Sequence, residues 1–341
     1  MKLLDFRKNI YMKKIKSVVG EYISPINWLL NVIIGKRRDV EHIWPPQNFS
    51  DRNKLLYTVI DKPLAKRGVF LPRHNLKEKI SLTRFKTFHE EHIVIDRMLE
   101  ELGLPYRDAF FVDIGAGDGI DMNNTYLLAA AGADGISLEL NSSKFAMMGV
   151  TYRDLPQVAL GRCAVSPLNV CSLLDGLGAP EQIDVLSLDI DSFDYFVLEA
   201  LLKKYQIKIL CLEINPIFPL EIDFTVNYPN SEWSGGNFQS MSLSMLHKAI
   251  SPHGYSIVHI NKECVFAVPD SIALKEFPVI PLHSLNACLD SSLKDSPADW
   301  IIKNYRNKDI DTLIEQISQE FKKYDPSQFY LGKSLLLNSD A

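Results

Sequence analysis

Three acids, Asp189, Asp191 and Asp194, fall within six residues in the stretch LSLDIDSFDYF, directly after the apolar run Val185, Leu186 and Leu188. Carboxylates at the end of a buried strand are costly unless they meet water, a cation, a donor or a substrate. A second stretch, FVDIGAGDGID, sets Gly115, Gly117 and Gly119 at alternate positions behind Asp113. Glycines so spaced let the backbone turn tightly and approach a ligand with no Cβ in the way. The dinucleotide fingerprint reads GxGxxG. The spacing here is GxGxG, and the acid ahead of it suits a cationic ligand group better than a phosphate. The pair His89 and His92 in HEEH lacks the HExxH spacing of zinc proteases and is read as surface.

The elements that would position these residues follow from periodicity. Leu82 to Leu102 reads as a helix, with Phe85, Phe88, Ile93, Ile95, Met98 and Leu99 as its inward face. After Pro105, short apolar runs alternate with helical patterns as in a βαβ series. Strands are expected over 109–114, 135–140, 158–165, 183–189 and 207–214, with helices over 121–131, 142–148, 170–177 and 193–205. A helix over 241–250 then leads to YSIVHINKECVFAVP, two strands with only a tight turn between them, which must be antiparallel. From Asp270 onward the chain reads as a helical tail, clearest from Ile310 to Phe321.

The DxGxGxG pattern resembles motif I of class I S-adenosylmethionine-dependent methyltransferases, and the resemblance runs over about Leu82 to Asp270. It implies an α/β, Rossmann-like sheet of five parallel strands with a terminal antiparallel hairpin. It also implies that Asp113, Gly115, Gly117 and Gly119 hold the methionine part of S-adenosylmethionine, that Glu139 takes the ribose hydroxyls, and that Cys163 or Ala164 flanks the adenine. VDIGAGDG, SLDIDSFDYFVLEAL and EINP resemble the FkbM-like group, which is associated with O-methylation of sugars and of polyketide or glycan hydroxyls. That group often has Glu-Gly where this chain has Asp191 and Ser192.

The resemblance gives the acids a task. Methyl transfer to a hydroxyl is an in-line displacement that needs an aligned and at least partly deprotonated oxygen, so a base or a metal must help. Asp189, Glu213 and Asn215 at two strand ends offer hard oxygen ligands for Mg²⁺, similar to the set of catechol-type methyltransferases. Asp189 or Asp191, raised in pKa by burial, or His247 or His259, fits a general base. Asp191 also fits a cap for the helix near Phe193, and Asp194 a complement to that helix's dipole. The segment 215–239 interleaves Phe218, Phe224, Tyr228 and Trp233 with Asn227, Asn230, Ser231 and Asn237, and has no Lys or Arg. It suits a sugar or glycan-like acceptor better than RNA.

Composition frames these readings. The chain has 341 residues, 46% hydrophobic and 23% charged, with net charge -5, which carries no nucleic-acid signature. Five cysteines (Cys163, Cys171, Cys211, Cys264, Cys288) without CxxC spacing fit a reducing cytoplasm. Residues 1–38 are basic and amphipathic, and their apolar run is short of the ~20 residues that span a bilayer. They fit peripheral contact with the inner membrane face, or docking on a partner or on their own domain. Three regions result: an N-terminal extension over 1–80, a methyltransferase domain over 81–270 and a helical tail over 271–341. A homo-oligomer, a non-catalytic protein of this fold used in assembly, and a methyltransferase of another acceptor class are the competing readings.

Overall fold

The computed structural model describes residues 91–229, 236–294 and 296–336. The basic segment over 1–38, the rest of the extension and the first turns of the helix expected over 82–102 lie outside the described residues. Helix α1 (Glu91–Glu101) packs on the sheet through Ile95, Met98 and Leu99, one face of a 3.6-residue period. His92 sits on that same stripe, so it is buried rather than at the surface, and burial lowers its pKa to about 4.

The chain then alternates as the periodicity implies. β1 (Phe110–Ile114) leads to α2 (Tyr126–Ala131), β2 (Asp134–Glu139), α3 (Ser142–Thr151), β3 (Val158–Arg162), α4 (Val170–Gly176), β4 (Gln182–Leu188), α5 (Asp194–Leu202) and β5 (Gln206–Glu213). After β6 (Ile222–Val226) and α6 (Leu243–Ile250) come the hairpin strands β7 (Tyr255–Asn261) and β8 (Cys264–Pro269). The main sheet has the order β3-β2-β1-β4-β5-β8-β7. Pairings among β1 to β5 are all parallel, and β8 is antiparallel to both β5 and β7. This is the doubly wound sheet with a terminal hairpin that the sequence implies.

Side chains alternate across such a sheet. Val112, Ile114, Ile136, Leu138, Leu186, Leu188, Leu210 and Leu212 point to one face and join α4, α5 and α6 in a continuous core. The chain starts at the sheet's centre with β1, runs outward through β2 and β3, and returns to β4 on β1's other side. Connections therefore diverge between β1 and β4, the place where doubly wound sheets open a crevice at the C-terminal strand ends.

The tail is α7 (Asp270–Glu276), α8 (Leu285–Leu293), short helical turns, α9 (Ile310–Glu320) and β9 (Phe329–Lys333). A second sheet, which the sequence reading did not expect, pairs β6 with β9 antiparallel. Leu285, Leu289, Leu293, Leu313, Ile317 and Phe321 are buried in the same core as the parallel strands. Phe218 stacks on Phe224 at 4.4 Å and Phe238 on Tyr324 at 3.7 Å, with Phe321 and Phe329 closing the cluster.

Candidate active site

The glycine loop follows β1 at the edge of the crevice. Gly115, Gly117 and Gly119 all have positive φ (93°, 60° and 79°). A Cβ on Gly115 would lie 1.7 Å from the Asp189 carbonyl oxygen, so only glycine lets this loop rest on the end of β4. At Gly119 a Cβ would lie 2.4 Å from the Tyr152 ring. Gly117 has no such close neighbour, and a Cβ there would meet the Asp121 carbonyl at an ordinary contact distance of 3.8 Å.

Asp113 does not present its carboxylate to that opening. It is 4% exposed, and its Oδ2 accepts from Asn123 Nδ2 at 2.8 Å and Thr125 Oγ1 at 2.7 Å. Burial raises its pKa to about 6 against the pull of those two donors. Asp113 braces the turn behind the loop from within. Those bonds also shorten the helix expected over 121–131, because residues 121–125 are held in turns before α2 begins.

Glu139 ends β2 beside the loop and ties to it. Its Oε2 accepts from the Gly117 N–H at 2.8 Å and its Oε1 from the Asn141 N–H at 2.6 Å. Each carboxylate oxygen keeps acceptor capacity beyond the one bond it makes. Leu140, the next residue, is 44% exposed, and Met122 beyond the glycine loop is 58% exposed. Cys163 follows β3 on Glu139's other side, its N–H donating to the Glu139 carbonyl at 3.2 Å, with Ala164 next.

The acids of LSLDIDSFDYF part company. Asp194 is buried and accepts from the N–H groups of Ile190 (2.9 Å) and Ser192 (3.0 Å), folding the segment back on itself. Burial pushes its pKa up to about 6, offset by those bonds. That fold sets Asp191 at φ 57°, a left-handed conformation uncommon outside glycine. Asp191 does not cap α5, since the residue ahead of that helix is Phe193 and no side chain caps it. Instead Asp189, Asp191 and Glu213 each bring one carboxylate oxygen to within 4.8 Å of the others.

Three carboxylates so close cannot all stay ionised without a proton or cation among them. Asp189 is exposed along the crevice, yet the protein around it and the charges of Asp191 and Asp194 hold its pKa above the usual range. Glu213 is raised well above its usual value, by burial first and then by Asp189. Its Oε2 is buried with no hydrogen-bond partner. Among the described residues, Lys144 in the first turn of α3 acts on this side, its charge opposing the raised pKa of both Asp191 and Asp118.

Several expected residues take other places. Asn215 is buried, with Nδ2 donating to the carbonyls of Asn237 (2.7 Å) and Gln239 (3.1 Å), so its amide nitrogen fastens a loop. His247 lies in the last turn of α6 and touches Ser251 Oγ. That turn leads into β7 at the N-terminal end of the parallel strands, opposite the crevice, because the helix runs counter to them. His259 is on β7, beside Phe266 and two strands away from β5. Of the expected acceptor-side residues, Phe218 and Phe224 are in the buried aromatic cluster, and Asn237 donates to Tyr305 Oη at 2.6 Å. Tyr228 faces Phe193, edge to face at 5.1 Å. Asn230, Ser231 and Trp233 lie outside the described residues.

Three positions that shape or face this site escaped the sequence reading: Asn123, Lys144 and Arg306. Arg306 has a side chain 2% exposed; its Nη1 donates to the Phe218 carbonyl at 3.0 Å and the Pro216 carbonyl at 3.4 Å, its Nη2 to Asn286 Oδ1 at 3.0 Å, and its Nε to Asp290. It holds the chain that leaves β5 just beyond Glu213. No motif marks it, since its partners are 16 to 90 residues away.

No family model matches the chain, and no curated protein matches it. Solved structures resemble it. The N-terminal domain of EvdMO1 with SAH bound is 11% identical over 61% of this chain and 94% of that one, with TM-score 0.35. An S-adenosylmethionine-dependent methyltransferase from Clostridium acetobutylicum is 11% identical over 64% and 98%, with TM-score 0.36. Precorrin-6y C5,15-methyltransferase from Geobacter metallireducens is 15% identical over 58% and 96%, with TM-score 0.34.

Proposed function

We propose that this protein transfers a methyl group from S-adenosylmethionine to a hydroxyl of a sugar, glycan precursor or related metabolite, in the manner of FkbM-like class I methyltransferases. The observation that carries the reading is a convergence at one crevice. The glycine loop follows β1, Asp189 and Asp191 follow β4, Glu213 ends β5, and β1, β4 and β5 are neighbours. The residues fit the cofactor: Gly117 leaves room at the loop's tip, Glu139 has acceptor capacity for ribose hydroxyls, and Leu140, Cys163 and Ala164 would flank a flat base. S-adenosylmethionine, when bound, supplies a methyl group on a sulfonium sulfur. The carboxylate cluster would take the proton that the acceptor hydroxyl gives up, with Asp189 as the member open to the crevice. Tyr228 and Phe193 would bound the acceptor's apolar face.

The partnerless Glu213 Oε2 favours a second version of the same site, in which Asp189, Asp191 and Glu213 hold a divalent cation such as Mg²⁺. Bound there, the ion would supply charge that lowers the acceptor hydroxyl's pKa.

Calorimetric titration of the full chain with S-adenosylmethionine, with Mg²⁺ and then with EDTA, tests both. Binding that survives in Asp189→Asn, with turnover lost, is the expected result. A folded protein that takes up no cofactor would sink the proposal. Heat of Mg²⁺ binding that vanishes in Glu213→Gln selects the cation version, and its absence from the native chain selects the carboxylate acting alone.

A further inference from the structure

We infer that Asn123 is a positioning residue which, on the cofactor reading above, holds the glycine loop in the shape that receives S-adenosylmethionine. Asn123 is buried, and all its polar capacity faces inward. Nδ2 donates to Asp113 Oδ2 at 2.8 Å and to the Ala116 carbonyl at 3.0 Å. Oδ1 accepts from the N–H groups of Thr125 (3.0 Å) and Tyr126 (2.6 Å). One planar amide thereby joins the end of β1, the middle of the glycine loop and the start of α2. The Ala116 carbonyl also accepts from the Gly119 N–H at 3.1 Å, so the amide locks the turn around Gly117 from beneath while Glu139 holds it from the side.

The chemistry of the site demands an amide. Two acceptors face the nitrogen and two donors face the oxygen, a pattern that asparagine matches and aspartate matches by half. An aspartate would still accept from Thr125 and Tyr126, yet it would set a second carboxylate against Asp113. The titratable groups acting on Asp113 from the surrounding elements are Glu139 on β2, Tyr152 after α3, Cys211 on β5 and Asp189 after β4. None of these is a cation, so such a pair would keep a shared proton well into the neutral range.

The test is calorimetric titration of the full chain with S-adenosylhomocysteine between about pH 5.5 and 8.5, each variant being compared with the native chain at the same pH. Asn123→Asp should bind about tenfold more weakly at the alkaline end and approach the native chain at the acid end, as a shared proton restores the missing donor. The exchange Asp113→Asn with Asn123→Asp restores the donor between the two side chains and leaves the Ala116 carbonyl without one, so it should bind more tightly than Asn123→Asp at the alkaline end, stay about threefold below native and show no dependence on pH. A deficit common to both variants and flat with pH would mean general damage and overturn the inference, as would native-like binding by Asn123→Asp at the alkaline end. Should Asn123→Asp not fold, Thr125→Val removes one donor from Asp113 with little change of shape. It should weaken binding about threefold, and no effect would overturn the inference. Failure of the native chain to bind would remove the function reading and this inference with it, whereas native binding with the variant failures above removes this inference alone.

Discussion

Asp189 and Glu139 are both carboxylates at strand ends, and their surroundings give them opposite duties. Glu139 is satisfied by two backbone N–H groups and stays put. Glu139→Gln replaces one acceptor with a donor facing the Gly117 or Asn141 N–H, and should weaken cofactor binding about tenfold by calorimetry. Asp189 sits in a crowded crevice, where the protein packed around it first and then the charges of Asp191 and Asp194 raise its pKa to about 8. The folded chain then holds a proton that the unfolded chain has released, so stability is full near pH 4 and declines as pH rises through the folded value. Asp189→Asn should therefore stabilise the protein at pH 8, by on the order of 1 kcal/mol because water screens an exposed group, and the gain should vanish toward pH 4. Denaturation at the two pH values checks it. Turnover should fall by about a hundredfold or more in the same variant, and the two outcomes together would mark an acid kept at a cost in stability.

At the scale of elements, short connections aim the site and distant ones hold it. The loop after β4 is shaped by Asp194 a few residues on, and the loop after β1 by Asn123, so both glycine loop and acid cluster are built locally. The chain after β5 is held by Arg306 from the far end of the sequence. Arg306→Ala leaves two backbone carbonyls and Asp290 without their donor, and should cost about 3 kcal/mol by chemical denaturation. Arg306→Lys should recover less than half of that, because a single ammonium cannot reach acceptors spread along a planar fork.

For the molecule as a whole, the tail is part of the core. Phe321, Tyr324 and Phe329 cover Phe218, Phe224 and Phe238, and β9 pairs with β6 along its whole length, while Met241 bridges its other edge at Thr225 alone. A chain ending at Glu320 would expose this aromatic cluster together with the open edge of β6. It should lose soluble yield and the cooperative melting of the full chain, as read by gel filtration and thermal denaturation.

Local periodicity and turn chemistry determined the order of βα units, the glycine loop after β1, the acid ending β2 and the hairpin after α6. Each of these is written within a few neighbouring residues, where apolar spacing and positive-φ demands act directly. What depended on residues far apart was settled by the tertiary structure. Asn215 reads from sequence as a third oxygen ligand, and packing gives its amide to the carbonyls of Asn237 and Gln239. His247 reads as a base, and helix direction carries it to the opposite end of the sheet. Phe218 and Phe224 read as an acceptor platform, and the tail folds over them. The strand β9 and the hold of Arg306 on the chain after β5 were silent in the sequence, because β6 and the Phe218 carbonyl lie far back along the chain, 88 residues in the case of Arg306, and only chain closure brings them together.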